Sequence, residues 1–414
     1  MINIVNKKDC VGCEGCVQIC PKNCISFDMD TQGFGYPKVD LNRCIKCNLC
    51  DRVCPVINQS EEMIPLKIYS ATNLNEEVLK DSSSGGVFFA IAKEIINSGG
   101  VVFGARYSDN WEVIHDYTET IEGLKVFQGS KYVQSRIGNT YKNVLNFLKS
   151  GRKVLFTGTP CQIAGLRLYL RNEFKDLLLC VDIICHGVPS PRIWREYLHD
   201  ITCSLKNANN NDSKQENRYK ILITSISFRN KREGWENSGF SVDYTKQIVS
   251  NKTQSININL YEKLDSNAYF WSFNSSLTLR PSCFFCPAKC GKSLSDLTIG
   301  DFWHVKRLKK ESYHKGGVSL VLVNSDIGLK YINENLSPKP TTYDIAKESN
   351  PALINSIKCP KRYKEFWNNY NVVGIKALYI AYEKRISFTQ KYLKKPLKAI
   401  LGKRIINIIR NTVR

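Results

Sequence analysis

Two cysteine runs near the amino terminus constrain this chain more than any other feature. They are Cys10-x2-Cys13-x2-Cys16-x3-Cys20 and Cys44-x2-Cys47-x2-Cys50-x3-Cys54, about 34 residues apart. Three cysteines at intervals of two residues wrap a tight loop around one group, and the fourth turns away from it. Because proline lacks an N–H and fixes φ, Pro21 and Pro55 bend the chain away after each run. The spacing therefore predicts a repeated unit over residues 1–58 that folds around bound groups.

This spacing is that of bacterial ferredoxins with two [4Fe–4S] clusters, in which the fourth cysteine of each run ligates the other cluster. The predicted ligand sets are Cys10, Cys13, Cys16 and Cys54 for one cluster, and Cys44, Cys47, Cys50 and Cys20 for the second. Zinc is one alternative, but three successive cysteines crowd a single ion with an unneeded ligand. A disulfide framework is another, and disulfides are rare in reducing compartments. The runs therefore predict one-electron transfer.

Composition indicates a globular, cytoplasmic protein. A chain of 414 residues allows two or three domains, and 43% hydrophobic residues suffice for a core. No stretch approaches the ~18 apolar residues of a membrane span, and the opening MINIVNKKDC is too polar for a signal peptide. We therefore expect a soluble protein in a reducing compartment.

The formal net charge of +21 is concentrated at the carboxyl-terminal end. Residues 384–414 contain ten Lys or Arg and no Asp or Glu. One helical face carries Leu397, Ile400, Leu401, Ile405, Ile408 and Ile409, and the other carries Lys403, Arg410 and Arg414. Such a helix can lie on an anionic membrane, which predicts peripheral contact with the inner face of the membrane; packing on its own domain is the alternative. Since no recognised nucleic-acid module is present, we expect no nucleic acid partner.

The chain divides by pattern into three regions. Residues 1–58 are the two-cluster ferredoxin-type domain, 68–365 a larger domain, and 366–414 a basic helical tail. From residue 68 strand and helix patterns alternate, which favours an α/β layer, and β-rich runs between 219 and 261 look antiparallel. The predicted fold class is therefore α+β or α/β, with a ferredoxin-like domain followed by a mixed α/β domain.

A serine- and glycine-rich segment precedes an apolar helical pattern. Its residues are Ser82, Ser83, Ser84, Gly85 and Gly86. Serine caps and glycines leave backbone N–H groups free at a helix start, which is a site for phosphate or another anion. A plain helix cap without a ligand is the other interpretation.

Five further cysteines follow in the larger domain. Pro160 fits the first position of a helix and places Cys161 in its first turn, where a thiolate is favoured. Cys185 follows a predicted strand, so both thiols should lie at the same edge of a parallel sheet. A sparser run supplies the remaining three, Cys283, Cys286 and Cys290. Together they could hold a third cubane, with zinc as the alternative.

These motifs together resemble the β-subunit family of coenzyme F420 hydrogenases and dehydrogenases; coenzyme F420 is a deazaflavin. The matching segments are SSSGG at 82–86, GSKYVQS at 129–135, FTGTPCQIAGL at 156–166, ICHGVPSP at 184–191, and CFFC with SDLTIGDFW between 283 and 303. They follow family order over about 66–370. A fused ferredoxin unit is also common in the family, and members of this type often occur beside genes for bacterial surface polysaccharides.

The resemblance implies an iron–sulfur flavoprotein with FAD and a third [4Fe–4S] cluster in the mixed α/β, flavin-binding domain. FAD would be held by Ser82 to Gly86, by Gly129, Ser130, Lys131 and Tyr132, and by Gly158 and Thr159. The third cluster would use Cys161, Cys185, Cys283 and Cys286, with Cys290 either replacing one of them or incidental. Lys131 is the candidate for a catalytic charge that stabilises reduced flavin, with a solvated lysine as the alternative.

The resemblance therefore predicts an FAD-dependent reductase. It would pass electrons from a ferredoxin-type donor or a redox partner subunit to a small organic two-electron acceptor, with a place in surface-polysaccharide synthesis as an analogy. The alternative is a non-catalytic electron-transfer subunit of a larger redox complex of the deazaflavin-linked type.

Overall fold

The structure, a computed structural model, describes residues 6–207, 219–248 and 254–392, together with residues 2 and 4. Its strands are β1 Ile25–Met29, β2 Gly35–Val39, β3 Lys67–Ala71, β4 Val101–Tyr107, β5 Val113–Thr118, β6 Val154–Gly158, β7 Leu178–Ile183, β8 Tyr219–Asn230, β9 Gly239–Ile248, β10 Gln254–Lys263, β11 Leu297–Asp301, β12 Ser319–Val323 and β13 Lys339–Pro340. Its α-helices are α1 Gly15–Ile19, α2 Leu49–Arg52, α3 Glu76–Asp81, α4 Val87–Asn97, α5 Thr140–Lys149, α6 Pro160–Tyr169, α7 Pro191–Asn207, α8 Ala268–Asn274, α9 Val305–Leu308, α10 Asp326–Leu329, α11 Tyr343–Ser349, α12 Tyr363–Val373 and α13 Lys376–Tyr392.

The internal repeat of the sequence is also a repeat of the backbone. Within each cysteine run a left-handed residue precedes a short helix: Glu14, with φ 57°, before α1, and Asn48, with φ 57°, before α2. Non-glycine residues adopt this conformation only where the chain must turn sharply. Between the runs, β1 and β2 pair antiparallel with Ile25 opposite Val39. The two loops therefore form one unit around a hairpin.

An eight-stranded mixed sheet forms the frame of the larger domain. Its strand order is β13-β3-β12-β11-β7-β6-β4-β5. The central strands β4, β6, β7 and β11 run parallel, and the strands flanking them run antiparallel. Because the central strands share one direction, the segments after their carboxyl ends meet at one edge of the sheet.

Both faces of this sheet are covered by helices. On β6, Val154 and Phe156 pack with α5 and α6 on one face, whereas Leu155 faces α4 on the other. These side chains are fully buried, as the continuous apolar pattern of a central parallel strand predicts. The predicted α/β layer is therefore confirmed.

A second, antiparallel sheet has the order β10-β9-β8 and packs with α7 and α8. Phe228 and Phe240 lie in this core beside Trp194 of α7. Phe34 and Tyr36, from the cysteine-rich unit, belong to the same cluster of buried residues. The cysteine-rich unit and the β-rich region therefore share one core.

Part of the predicted carboxyl-terminal tail is packed on the larger domain. The predicted boundary at residue 366 falls inside α12, where Phe366, Trp367 and Tyr370 are buried, and Leu378 of α13 is buried as well. Burial of these side chains therefore packs α12 and the first turn of α13 on the larger domain. The predicted amphipathic helix from Leu397 lies outside the described residues. Within the described part of the chain, no helix combines the length and apolarity needed to cross a membrane.

Candidate metal centres and cofactor cavity

The first predicted ligand set comes together around one small cavity of about 20 Å³. Cys10, Cys13, Cys16 and Cys54 all line it. Burial, followed by the negative charge of Cys16, raises the pKa of the Cys13 thiol well above its ordinary value. Such thiols become thiolates only with a cation to stabilise them, and metal binding supplies that cation. The donor set and its setting therefore fit an iron–sulfur cluster.

The second predicted set surrounds another cavity of about 20 Å³. It is lined by Cys20, Cys44, Cys47 and Cys50. Cys24, which belongs to neither predicted ligand set, also lines this cavity, and its Sγ lies 3.3 Å from the Sγ of Cys20. Cys47 is exposed, whereas Cys10 and Cys13 of the first set are buried. The second set therefore reaches the surface and the first lies deeper.

A third group of thiols forms at the carboxyl edge of the large sheet. Cys161 lies in the first turn of α6, and Cys185 follows β7. Cys283 lies within a 3-10 helix over Pro281–Phe285, and Cys286 caps its carboxyl end. Pro160 occupies the first helical position, as predicted, after the N-cap Thr159. A Cβ placed on Gly187 would lie 3.3 Å from the Cβ of Cys283, so the segment after Cys185 packs directly on the CFFC motif.

The four thiols of this third group affect one another electrostatically. Burial raises the pKa of Cys161 to about 12, and the nearby thiols of Cys286 and Cys185 raise it further. Burial likewise raises the pKa of Cys185 and of Cys283 to about 12, with Cys286 contributing to both. Among the described residues, no three His, Cys, Asp or Glu side chains converge on a point for a single metal ion. The four thiolates of a cubane bind four different irons, so the ligands of a cubane do not converge on one point as those of a single metal ion do.

Cys290 lies apart from this group. Its Sγ donates to the carbonyl oxygen of Ile354, 3.5 Å away, and burial and then Glu62 raise its pKa. It lines a cavity of about 30 Å³ together with Asp182, Lys289 and Cys185 of the third group. Of the five predicted ligands in the larger domain, four affect one another electrostatically, and Cys290 adjoins only Cys185, across this cavity.

The first and third thiol groups adjoin across helix α6. A Cβ on Gly165 would lie 3.0 Å from both the Cβ and the Sγ of Cys13. Cys161 lies four residues earlier on the same helix face, about 6 Å along the axis. Since Gly165 has no side chain, the Cys13 loop packs directly against the backbone of the helix that carries Cys161.

A cavity of about 740 Å³ opens beside the third group, at the carboxyl ends of β4, β6, β7 and β11. All the predicted flavin-binding residues line it except Gly85. A Cβ on Gly85 would lie 2.3 Å from the carbonyl oxygen of Ala71, so this residue packs against β3. Cys185 and His186 also line the cavity, which places its wall next to the third thiol group. A cavity of this volume can hold a large organic molecule.

The start of α4 forms one end of this cavity. The N-cap of α4 is Gly86, with φ 74° and no side-chain cap. The serines before it donate elsewhere: the Oγ of Ser82 to the carbonyl oxygen of Val78, and that of Ser84 to Val318. The serine side chains therefore do not cap α4, and an anion at this helix start stays a prediction. Backbone N–H groups at a helix start of this kind attract anions.

Lys131 lies on the cavity wall and is not the freely solvated lysine of the alternative. Its Nζ donates to the carbonyl oxygens of Val126 and Gln128, each 2.9 Å away. Removal from water lowers the pKa of its ammonium group. The neighbouring Ser130 N–H donates to Ser83 Oγ at 2.8 Å, which ties the two predicted flavin-binding segments together.

Sequence reasoning missed several polar residues on this wall and beside it. Arg229 forms a buried ion pair with Asp301 at 2.8 Å, and its guanidinium lies 5.0 Å from the ring centroid of Trp303. The DFW part of the SDLTIGDFW motif pointed to Asp301 and Trp303. Nothing in the local pattern pointed to Arg229, or to Arg280 beside the CFFC motif.

Two family models match parts of this chain. A family model described as the carboxyl terminus of the coenzyme F420 hydrogenase/dehydrogenase beta subunit matches residues 151–342, and one described as 4Fe-4S dicluster domain matches residues 9–58. One subunit of the F(420)H(2) dehydrogenase of Methanosarcina mazei is 22% identical over 191 residues, covering 44% of this chain and 54% of that protein. The coenzyme F420-dependent sulfite reductase of Methanocaldococcus jannaschii is 27% identical over 230 residues, covering 54% of this chain and 35% of that protein.

The matches span about half or less of the length of these two relatives. A chain of the F420-reducing [NiFe] hydrogenase complex from Methanosarcina barkeri aligns with a TM-score of 0.41 at 16% identity, covering 79% of this chain and 94% of that one. The two family matches agree with the cysteine spacing and with the motifs of the larger domain. Residues 9–58 are thus a 4Fe-4S dicluster domain, and residues 151–342 belong to the family of carboxyl-terminal domains of coenzyme F420 hydrogenase/dehydrogenase beta subunits.

Proposed function

We propose that this chain is an iron–sulfur electron-transfer subunit of a larger redox complex of the F420-linked hydrogenase or dehydrogenase type. The observation that carries the proposal is the serial order of three thiol groups, from the exposed Cys47 to a large cavity. The family matches and the names of the two relatives support the same class. In this assignment Cys161, Cys185, Cys283 and Cys286 hold the third cluster, and Cys290 is not a ligand.

Iron–sulfur clusters supply one-electron transfer when bound, at potentials set by charge, hydrogen bonding and solvent exposure. The chain would set the spacing between the clusters and shield them from water. Exposed Cys47 gives the second set contact with the surface, and buried Cys10 and Cys13 keep the first set away from water. Gly165 lets the first set approach the helix of Cys161 closely. The order of electron flow in the proposal is therefore from the Cys47 loop, through the first set and then the third, to the cavity.

Iron counting tests the proposal. Protein purified without oxygen should contain about twelve irons per chain, four for each cubane, and Cys283→Ser should lose about four of them. Cys290→Ser is the matched control, since it removes a nearby cysteine that lies outside the third group, and it should keep all of its iron. Wild-type protein with about eight irons, or equal loss in both variants, would remove the third cluster from the proposal.

FAD in the large cavity is the second part of the proposal. The cavity volume of about 740 Å³, the uncapped start of α4 and the lining by both serine–glycine segments support it. The helix start would face the pyrophosphate, and Lys131 would be the nearby positive charge. A flavin supplies exchange between one-electron and two-electron chemistry when bound. Flavin bands in the purified protein, and their loss in a Gly86→Val variant, would support this; iron-loaded protein with no extractable flavin would remove it.

Coenzyme F420 is the two-electron partner to test first, because both relatives are F420-linked by name. An electron-transfer subunit, reduced chemically, should take up electrons but turn over an organic acceptor only slowly without its partner chain. Fast, sustained reduction of F420 by the isolated chain would instead favour an autonomous FAD-dependent reductase. The membrane contact of the tail and the place in surface-polysaccharide synthesis stay predictions.

A further inference from the structure

Arg280 is a fully buried arginine at the boundary between the dicluster domain and the larger domain. Its exposed fraction is 0%. It precedes the 3-10 helix of the CFFC motif, and its side chain enters the dicluster domain. The guanidinium lies 4.5 Å from the ring centroid of Tyr36 and 5.3 Å from that of Phe34. One residue of the larger domain thus occupies the core of the other domain.

All the hydrogen bonds that the structure gives this guanidinium go to neutral oxygens. Nε donates to the carbonyl oxygen of Cys10 at 2.6 Å, Nη1 to the side-chain oxygen of Gln134 at 3.1 Å, and Nη2 to the carbonyl oxygen of Gly35 at 2.8 Å. Gly12 permits this approach, because a Cβ at its φ of 72° would lie 2.8 Å from Nη1. The geometry ties the Cys10 loop to the segment that leads into Cys283.

The absence of a carboxylate sets Arg280 apart from the other buried arginines of the described chain. Arg167 pairs with Asp296 at 2.6 Å, and Arg229 pairs with Asp301 at 2.8 Å. Within the described residues, no carboxylate lies at ion-pair distance from Arg280. Burial raises the pKa of Glu14, and the charge of Arg280 acts to lower it. The Glu14 oxygens, however, accept from the N–H groups of Ile137 and Gly138. A buried charge is costly unless something of opposite sign lies near it.

Two thiol groups are the candidates for that opposite charge. The Cys10 carbonyl contacts Arg280 directly, and the N–H of Cys283 donates to the Arg280 carbonyl oxygen at 2.9 Å. Arg280 therefore lies within electrostatic reach of the first and the third thiol groups.

We propose that Arg280 is a positioning and tuning residue shared by two iron–sulfur clusters. It holds the Cys10 loop beside the CFFC segment, and its fixed charge favours the added electron at both clusters. The inference rests on the proposed iron–sulfur function. Removing the charge should make both reduction potentials more negative, because net charge and hydrogen bonding near a cluster set its potential. The cluster of the Cys47 loop, farther away, should change little.

Redox titration followed by electron paramagnetic resonance tests this in the full-length, iron-loaded chain. Arg280→Gln should shift two of three midpoint potentials downward, each by at least the equivalent of a tenfold change in the reduction equilibrium, about 59 mV for one electron. Arg280→Lys keeps the charge and should restore potentials close to those of wild type. Arg192→Gln is the matched control, since Arg192 also donates to the dicluster domain, at Thr31, but pairs with Glu196.

The outcomes separate the two proposals. Wild-type protein without iron would overturn the proposed function and this inference with it. Loaded Arg280→Gln with unchanged potentials, or Arg280→Lys with potentials as low as those of Arg280→Gln, would overturn the role of Arg280 alone. If Arg280→Gln fails to bind iron, Arg280→Lys decides: normal iron and potentials support the role, and loss of iron in both variants contradicts it. Arg192→Gln shifting the same two potentials would also contradict it.

Discussion

At the scale of single residues, Asp182 should make stability depend on pH. It is 2% exposed, accepts from Ser293 Oγ at 2.6 Å, and its Oδ1 has no partner among the described residues. Burial raises the pKa of this carboxyl to about 6. The folded chain therefore keeps a proton that the unfolded chain has lost. The free energy of unfolding falls as pH rises from the ordinary pKa of 3.8 to the folded value of about 6. Asp182→Asn, which cannot ionise, should gain roughly 1 kcal/mol relative to wild type between about pH 5 and 8.

Denaturant unfolding of both proteins across that pH range is the measurement. Ser293→Ala is a useful control, since it removes the hydroxyl that donates to Asp182 but keeps the carboxyl. It should still lose stability as pH rises, at a higher pH than wild type, because the Ser293 hydrogen bond lowers the pKa of Asp182. A difference between Asp182→Asn and wild type that stays constant from about pH 5 to 8 would show that this carboxyl does not titrate in that range.

Residues whose role depends on local spacing were predictable, and residues that act across the fold were not. The cysteine runs specify loops that the backbone repeats, so the two sets around the small cavities could be derived from spacing alone. The choice among Cys161, Cys185, Cys283, Cys286 and Cys290 could not, because it depends on which loops meet at the sheet edge. Arg280 reaches a partner 270 positions away in the chain, and no local pattern records that contact.

At the scale of elements, helix α6 should tolerate no side chain at Gly165. A Cβ there would meet Cys13 at 3.0 Å and the Tyr141 hydroxyl at 3.1 Å. Overpacking of this kind costs about 1–3 kcal/mol and moves the backbone. Gly165→Val should therefore lower the melting temperature and push the Cys13 loop from α6, with a smaller effect for Gly165→Ala. Rapid-mixing reduction should show slower arrival of electrons at the third cluster.

The side-chain size series at Gly165 tests whether the close approach across α6 matters. Gly165→Ala and Gly165→Val should rank in the same order for melting temperature and for the rate of the last transfer. If Gly165→Val keeps both the wild-type melting temperature and the wild-type rate, the close approach across α6 has no role in the path.

Elements with a clear period were predicted well, and those hidden in motifs were not. The strand patterns that alternate with helical patterns after residue 68 coincide with β4, β6 and β7, because buried parallel strands are short apolar runs. SDLTIGDFW stood out as a motif, yet its middle is β11, which pairs parallel with β7. Its position places Asp301 at the cavity edge, and only the strand order of the sheet shows this.

At the scale of the whole molecule, the two domains should differ in how much they depend on iron. The dicluster domain has few buried apolar side chains beyond its cysteines, whereas the large sheet is apolar on both faces. Domains this small rarely hold together without a metal or disulfide, and metal binding then supplies much of their folding free energy. Iron removal should therefore unfold residues 9–58 and loosen the 281–290 segment, while β4, β6 and β7 stay folded.

Hydrogen exchange of chelator-treated protein against the loaded protein measures this segment by segment. Protection should fall in the cysteine runs, in the β1–β2 hairpin and around Arg280, whose charge would lose both of its proposed counter-charges. Reconstitution with iron and sulfide should restore it, which separates metal loss from damage. Exchange that rises equally across the large sheet would mean that the clusters stabilise the entire molecule. Unchanged exchange in residues 9–58 would mean that the shared core of Phe34 and Tyr36 holds this domain without metal.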